Sequence, residues 1–155
     1  MIILNKNISV EENIDDLLYN NNIQVIEYDG FDKVTALSFV ADGEKYVALK
    51  SCLDEDLRVL AKMHEFEHHK LNLFYTLTSR LRDRERIESR VNRELIEDFL
   101  TPKFLCRLIR RENTFNPRIL AEYTNFSPDL IEYAEHLYFD VQGIEPPDIE
   151  DAYNE

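Results

Sequence analysis

The pattern of apolar and polar positions divides the chain into a strand-rich stretch enclosed by helical segments. Ser9-Val10-Glu11-Glu12 has the spacing of a capping box, and Ile14, Leu17 and Leu18 follow at helical intervals, predicting a helix over residues 9–20 that Asn20-Asn21-Asn22 ends. The period then changes. Residues 24–28, 34–40 and 45–50 are rich in β-branched and aromatic side chains, and Ala41-Asp42-Gly43-Glu44 supplies a hairpin turn between the last two, so a small antiparallel sheet is expected. From Asp54, placed as an N-cap with Asp56 in the first turn, Leu57, Ala61, His64, His68, Leu71 and Tyr75 recur as the interior stripe of a helix.

A second long helix is predicted over about residues 80–100, where Leu81, Val91, Leu95 and Phe99 share one face with Glu88 set among them and Pro102 marks the end. Asn116-Pro117 and Ser127-Pro128 each open a further helical segment. The acidic, proline-broken stretch 141–155 reads as a mobile tail. These elements imply an α+β fold in which residues 1–111 form the core domain, 112–140 a helical piece and 141–155 the tail.

Length and composition narrow the class. A chain of 155 residues, 44% hydrophobic and 32% charged, has the size of one globular domain with its own core. No apolar run approaches the roughly 20 residues of a membrane span. The N-terminus lacks the basic start and long apolar stretch of a signal peptide, which points to the cytoplasm. Cys52 and Cys106 are far apart and read as reduced residues, not as a disulfide framework.

A formal charge of -13 repels nucleic acid and anionic membrane over most of the surface, but the charge is uneven. Residues 80–111 hold ten of the eighteen Lys and Arg against six acids. That strip is either a solvated helix with internal pairs such as Asp83 with Arg86, or a docking face for an acidic partner.

The chemistry concentrates in His64-Glu65-Phe66-Glu67-His68, an H-E-x-x-H motif. Histidines four apart stack on one helix face, so both imidazoles reach one Zn²⁺, while Glu65, rotated by about a hundred degrees, reaches the open coordination position as general base. A third ligand is required. Glu88 is the best candidate, at an inward position of the next helix where an uncompensated carboxylate is costly to bury. Pairing of Glu88 with Arg84, ligation by Glu85, and a purely structural role for the two histidines stand beside that reading. His69 points off the ligand face, as a surface or supporting residue. His136 reads as structural, and Tyr75 as core, although either could donate a hydrogen bond to a developing oxyanion.

The motif, preceded by a hairpin and followed by Glu88-Ser-Arg-Val-Asn-Arg-Glu-Leu-Ile-Glu-Asp-Phe-Leu-Thr-Pro102, resembles the ImmA/IrrE family of zinc peptidases over roughly residues 30–138. That family shows H-E-L-G-H and then E-x-x-A-x-x-F-A-x-E-L-L-x-P, whose first glutamate is the third zinc ligand; Glu88 falls on it. Val91 stands at the small position and Glu97 at the later glutamate, with Phe99 and Leu100 near the apolar pair and Pro102 near the proline. Glu67 replaces the usual glycine, and Glu94 and Leu95 replace Phe-Ala, so the packing between the two helices must differ here.

The resemblance implies a zincin-like peptidase core and a zinc cofactor held by His64, His68 and Glu88, with Glu65 catalytic. It also implies a protein substrate, typically the transcriptional repressor of a phage or integrative element. The family's C-terminal piece, matched by residues 120–137, has a helix-turn-helix flavour. Residues 103–155 hold only five basic residues against eleven acidic ones, so this piece is expected to contact protein and not nucleic acid. A zincin-fold module that binds a regulator without cutting it is the alternative. Glu65 argues against it, because a non-catalytic site has no chemical need for the base.

Overall fold

The computed structural model describes residues 10–30, 32–76 and 78–150. The chain divides into two compact units, residues 1–95 and 96–155. The sequence placed its first boundary later, after residue 111.

In the first unit, helix α1 (Val10–Asn20) precedes strand β1 (Ile23–Glu27). Its proposed capping residue, Ser9, lies outside the described residues. Strands β2 (Ala36–Ala41) and β3 (Glu44–Leu49) form the expected hairpin, whose turn places Asp42 and Gly43 at φ 53° and 81°, the left-handed pair that a two-residue loop requires. The sheet is not wholly antiparallel. Its order is β1-β3-β2, and β1 runs parallel to β3, pairing Ile23 with Lys45 through to Glu27 with Leu49. Turn chemistry dictates the β2–β3 pairing, whereas β1 is joined through the long link 28–35, and a period-two pattern carries no information on direction. Central strand β3 buries Val47, Ala48 and Leu49; β2 and β1 are the edges.

Helix α2 (Glu55–Leu71) starts where expected, with the Asp54 carboxylate accepting from the Leu57 amide at 2.9 Å. Its interior stripe is Val59, Met63, Phe66 and His68, and not the one that includes Leu57, which is half exposed. The shift of register follows from the sheet and α1 packing on α2 from the side of Val59 and Lys62. Lys62, itself buried, bonds Asp15 of α1 at 2.8 Å. Helix α3 (Leu81–Phe99) buries Val91, Leu95 and Phe99, but Leu81 at its first turn is exposed.

In the second unit Pro102 both ends α3 and opens α4 (Pro102–Glu112) as its first residue, capped by Thr101; the sequence had suggested only the stop. Helices α5 (Pro117–Ala121) and α6 (Pro128–Glu135) start at their expected caps, Asn116 and Ser127, and α6 continues into a π turn, His136–Val141. Leu105, Ile109, Leu120, Ile131 and Leu137 form the core, with Tyr138 donating to the Ile96 carbonyl at 3.1 Å. The segment expected to be a mobile tail is anchored as far as Glu150: Asn113 donates to the Glu150 carbonyl at 2.9 Å and accepts from its amide at 2.7 Å, and Pro147 is buried. Among the described residues, no helix is long and apolar enough to cross a membrane.

Candidate metal centre

The histidines four apart on α2 present their rings side by side, with centroids 5.1 Å apart. One ligand atom from each of His64, Glu65 and His68 lies within 4.8 Å of the others. Glu88 of α3 closes the site from the opposite side, its carboxylate oxygens 2.9 Å from Nε2 of His64 and 3.2 Å from Nε2 of His68. Glu65 and Glu88 therefore compete for the role of third ligand, and their other contacts separate them. The Glu65 carboxylate is held from the sheet by the Ser38 hydroxyl, which donates to Oε2 at 2.5 Å, whereas Glu88 faces both imidazole Nε2 atoms directly. Glu88 thus bridges the two imidazoles, and Glu65 lies beside them.

The end of α2 sets the state of His68. Asn72 adopts the left-handed cap conformation at φ 52°, and the Leu73 amide bonds back to the His68 carbonyl at 3.1 Å. This reversal puts the Leu73 carbonyl 2.6 Å from Nδ1 of His68. A carbonyl only accepts, so Nδ1 carries a proton, and Nε2, facing a carboxylate, needs either a second proton or a cation. Burial pulls the His68 pKa down, but Glu88, the Leu73 carbonyl and Glu65 outweigh it and hold the ring above its ordinary value. Burial pushes Glu88 up, yet His64, His68 and the Tyr75 hydroxyl together hold it well below the usual carboxylate range.

These observations fit a metal. Oε1 of Glu88 is buried and makes no aligned hydrogen bond, its 3.2 Å approach to His68 being an ion-pair contact only. A tetrahedral zinc with bonds of about 2.0–2.1 Å has ligand–ligand edges of about 3.3–3.4 Å. The two imidazole–carboxylate separations, 2.9 and 3.2 Å, lie close to that edge.

The surroundings are built with equal specificity. Tyr75, half-buried and not in the core, packs its ring edge-on to His68 at 5.9 Å and gives its hydroxyl to Glu88, which together with burial raises its pKa. Arg84 lies over the Tyr75 ring at 5.4 Å and donates to the Thr76 carbonyl at 2.9 Å; Glu85 is exposed. His69 is buried, and Nε2 donates to the Tyr46 carbonyl of β3 at 2.8 Å, fastening α2 to the sheet. Glu67 is completely buried with Lys70 at 3.9 Å, and Lys70 also bonds Glu94 of α3 at 2.9 Å. His136 is exposed and bonds Asp140 at 2.8 Å, within the other unit.

Sequence reasoning named His64, Glu65, His68 and Glu88, and the fold brings the four together. It missed Ser38 and the Leu73 carbonyl. Ser38 alone had a signal, a hydroxyl on the strand just before the motif helix; the carbonyl belongs to the backbone and has none. Comparison with protein-family models, with curated proteins and with solved structures finds no match for this chain.

Proposed function

We propose that the protein is a zinc-dependent endopeptidase that cleaves a regulatory protein, with the repressor of a mobile genetic element as the substrate that its resemblance to the ImmA/IrrE peptidases suggests. The observation that carries this reading is the contact of one carboxylate, Glu88, with Nε2 of both motif histidines while Glu65 stands beside them held by Ser38. His64, His68 and Glu88 would hold the zinc. When bound, zinc acidifies a water near neutrality and polarises the scissile carbonyl. Glu65 accepts the proton of the attacking water and returns it to the leaving amine. Ser38 keeps that carboxylate on the correct rotamer, and Tyr75 is placed to hold Glu88 or to donate toward the carbonyl oxygen. Edge strand β2, which carries Ser38, can pair with an extended substrate through main-chain hydrogen bonds, as the hairpin's place before the motif helix suggests.

The test is elemental analysis of the purified protein and of Glu65→Gln, followed by incubation with the candidate repressor. One zinc per chain in both, with cleavage only in the unmodified protein, is expected. Cleavage by Glu65→Gln would refute the proposed mechanism, and zinc loss in that variant would move Glu65 into the ligand set.

A further inference from the structure

The unit formed by residues 96–155 contains a concavity of about 580 Å³, within the roughly 300–1,000 Å³ span of ligand pockets. Its walls are aromatic: Phe115 and Phe139 meet edge to face, with centroids 6.2 Å apart and planes at 87°, and Tyr133 completes them. Its polar lining is acidic apart from His136, whose Nδ1 bonds Asp140 at 2.8 Å. Asp129, Glu132 and Glu135 recur every third residue along α6, and no lysine or arginine lines the space among the described residues. Oε1 of Glu135 is shielded from solvent and has no hydrogen-bond partner among the described residues. Aromatic faces and a carboxylate oxygen left without a donor are the two halves of a site for a planar cation.

We propose that this concavity is a docking site for an arginine side chain on a basic segment of a partner protein. Arginine is favoured over lysine because the guanidinium stacks on a ring while its N–H groups reach carboxylates in a fixed fork. The same unit already uses this combination internally, where Arg111 lies 5.2 Å over the Tyr123 ring with Nε bonded to Glu112 at 2.5 Å. A polypeptide is favoured over a small cation because the acidic stripe on α6 extends through Asp129, Glu132 and Glu135, a length that several cationic side chains of one segment can follow. Burial and the neighbouring Glu132 raise the Glu135 pKa to about 7, the direction expected of an acid lacking its counter-charge. The inference stands without the peptidase reading, since none of its residues belongs to the metal centre.

The experiment is an NMR titration of the full chain, in about 150 mM salt to screen diffuse attraction, with the peptide acetyl-Gly-Arg-Gly-Arg-Gly-amide and its lysine and citrulline analogues. Shifts confined to residues around Tyr133, Glu135 and Phe139 are expected. Binding should weaken severalfold with lysine and vanish with citrulline, which keeps the shape and removes the charge. Replacing Glu132 and Glu135 by Gln together should weaken it by roughly tenfold or more, while Glu145→Gln with Asp148→Asn, exposed acids of the same unit, should leave it unchanged. Phe139→Leu separates ring stacking from charge and should weaken arginine more than lysine binding. Equal weakening by the control pair, undiminished citrulline binding, or no localised shifts would overturn the proposal. So would tighter binding of spermine with the same dependence on Glu132 and Glu135, by assigning the site to small polyamines.

Discussion

Two half-buried glutamates in this protein have been driven in opposite directions. Burial pushes both Glu88 and Glu135 toward the neutral form. At Glu88 two imidazoles and the Tyr75 hydroxyl converge on the carboxylate and hold it ionised. At Glu135 burial is joined by the charge of another acid, Glu132, and the pKa climbs to about 7. The lesson is that desolvation alone marks no function. A carboxylate whose neighbours are donors is held ionised, whereas one beside another acid is driven toward its neutral form.

The comparison can be broken most severely at the metal centre. Glu88→Ala, His64→Ala and His68→Ala should each reduce zinc content from about one per chain to near zero, read by elemental analysis; full retention in any of them removes that residue from the ligand set. Glu65→Gln should keep the metal and lower the cleavage rate by about 10²–10⁴. Next in size is Ser38→Ala. Without the 2.5 Å bond to Glu65 the base loses its anchor, and kcat should fall by about 10–100-fold with zinc content unchanged. Unchanged kcat would show that Ser38 merely fills space.

His69→Phe tests the fastening of α2 to the sheet. Losing the donor to the half-buried Tyr46 carbonyl should cost about 1–3 kcal/mol in urea unfolding. It should also flatten part of the acid limb of the stability curve. Burial lowers the His69 pKa, so the folded state binds fewer protons than the unfolded state, and the stability this group contributes is lost as pH falls below its ordinary value of 6.5.

The smallest effect lies at Glu135 and has the opposite sign. A carboxyl raised from 4.5 to about 7 binds more protons folded than unfolded, so its contribution to stability is complete below pH 4.5 and is lost as pH rises through 7. Glu135→Gln should therefore melt above the unmodified protein at pH 8, with the difference closing toward pH 5. A difference independent of pH would mean that Glu135 already has a counter-charge in solution.

The sequence alone determined the parts of this protein that rest on local chemistry. Asp54, Asn116 and Ser127 cap their helices because a side-chain oxygen meets an amide two or three residues on, and Asp42-Gly43 turns the hairpin because its residues tolerate positive φ. His64 and His68 share a face because four residues make about one turn of helix. Even Glu88, twenty residues beyond His68, was legible as a carboxylate at an inward position.

What the tertiary structure decided was everything that depends on direction and on backbone atoms. The parallel pairing of β1 with β3 was hidden because alternation specifies a face and not a direction. The interior stripe of α2 moved from Leu57 to Val59 and Met63 because the positions of α1 and the sheet, and not the helix's own period, choose which side is inside. Ser38 meets Glu65 across 27 residues of chain, and the Leu73 carbonyl fixes the His68 tautomer only because Asn72 turns the chain back. Glu135 shares a concavity with Phe115 and Phe139 because α6 and its π turn fold beside Phe115, a contact that no spacing in the sequence encodes.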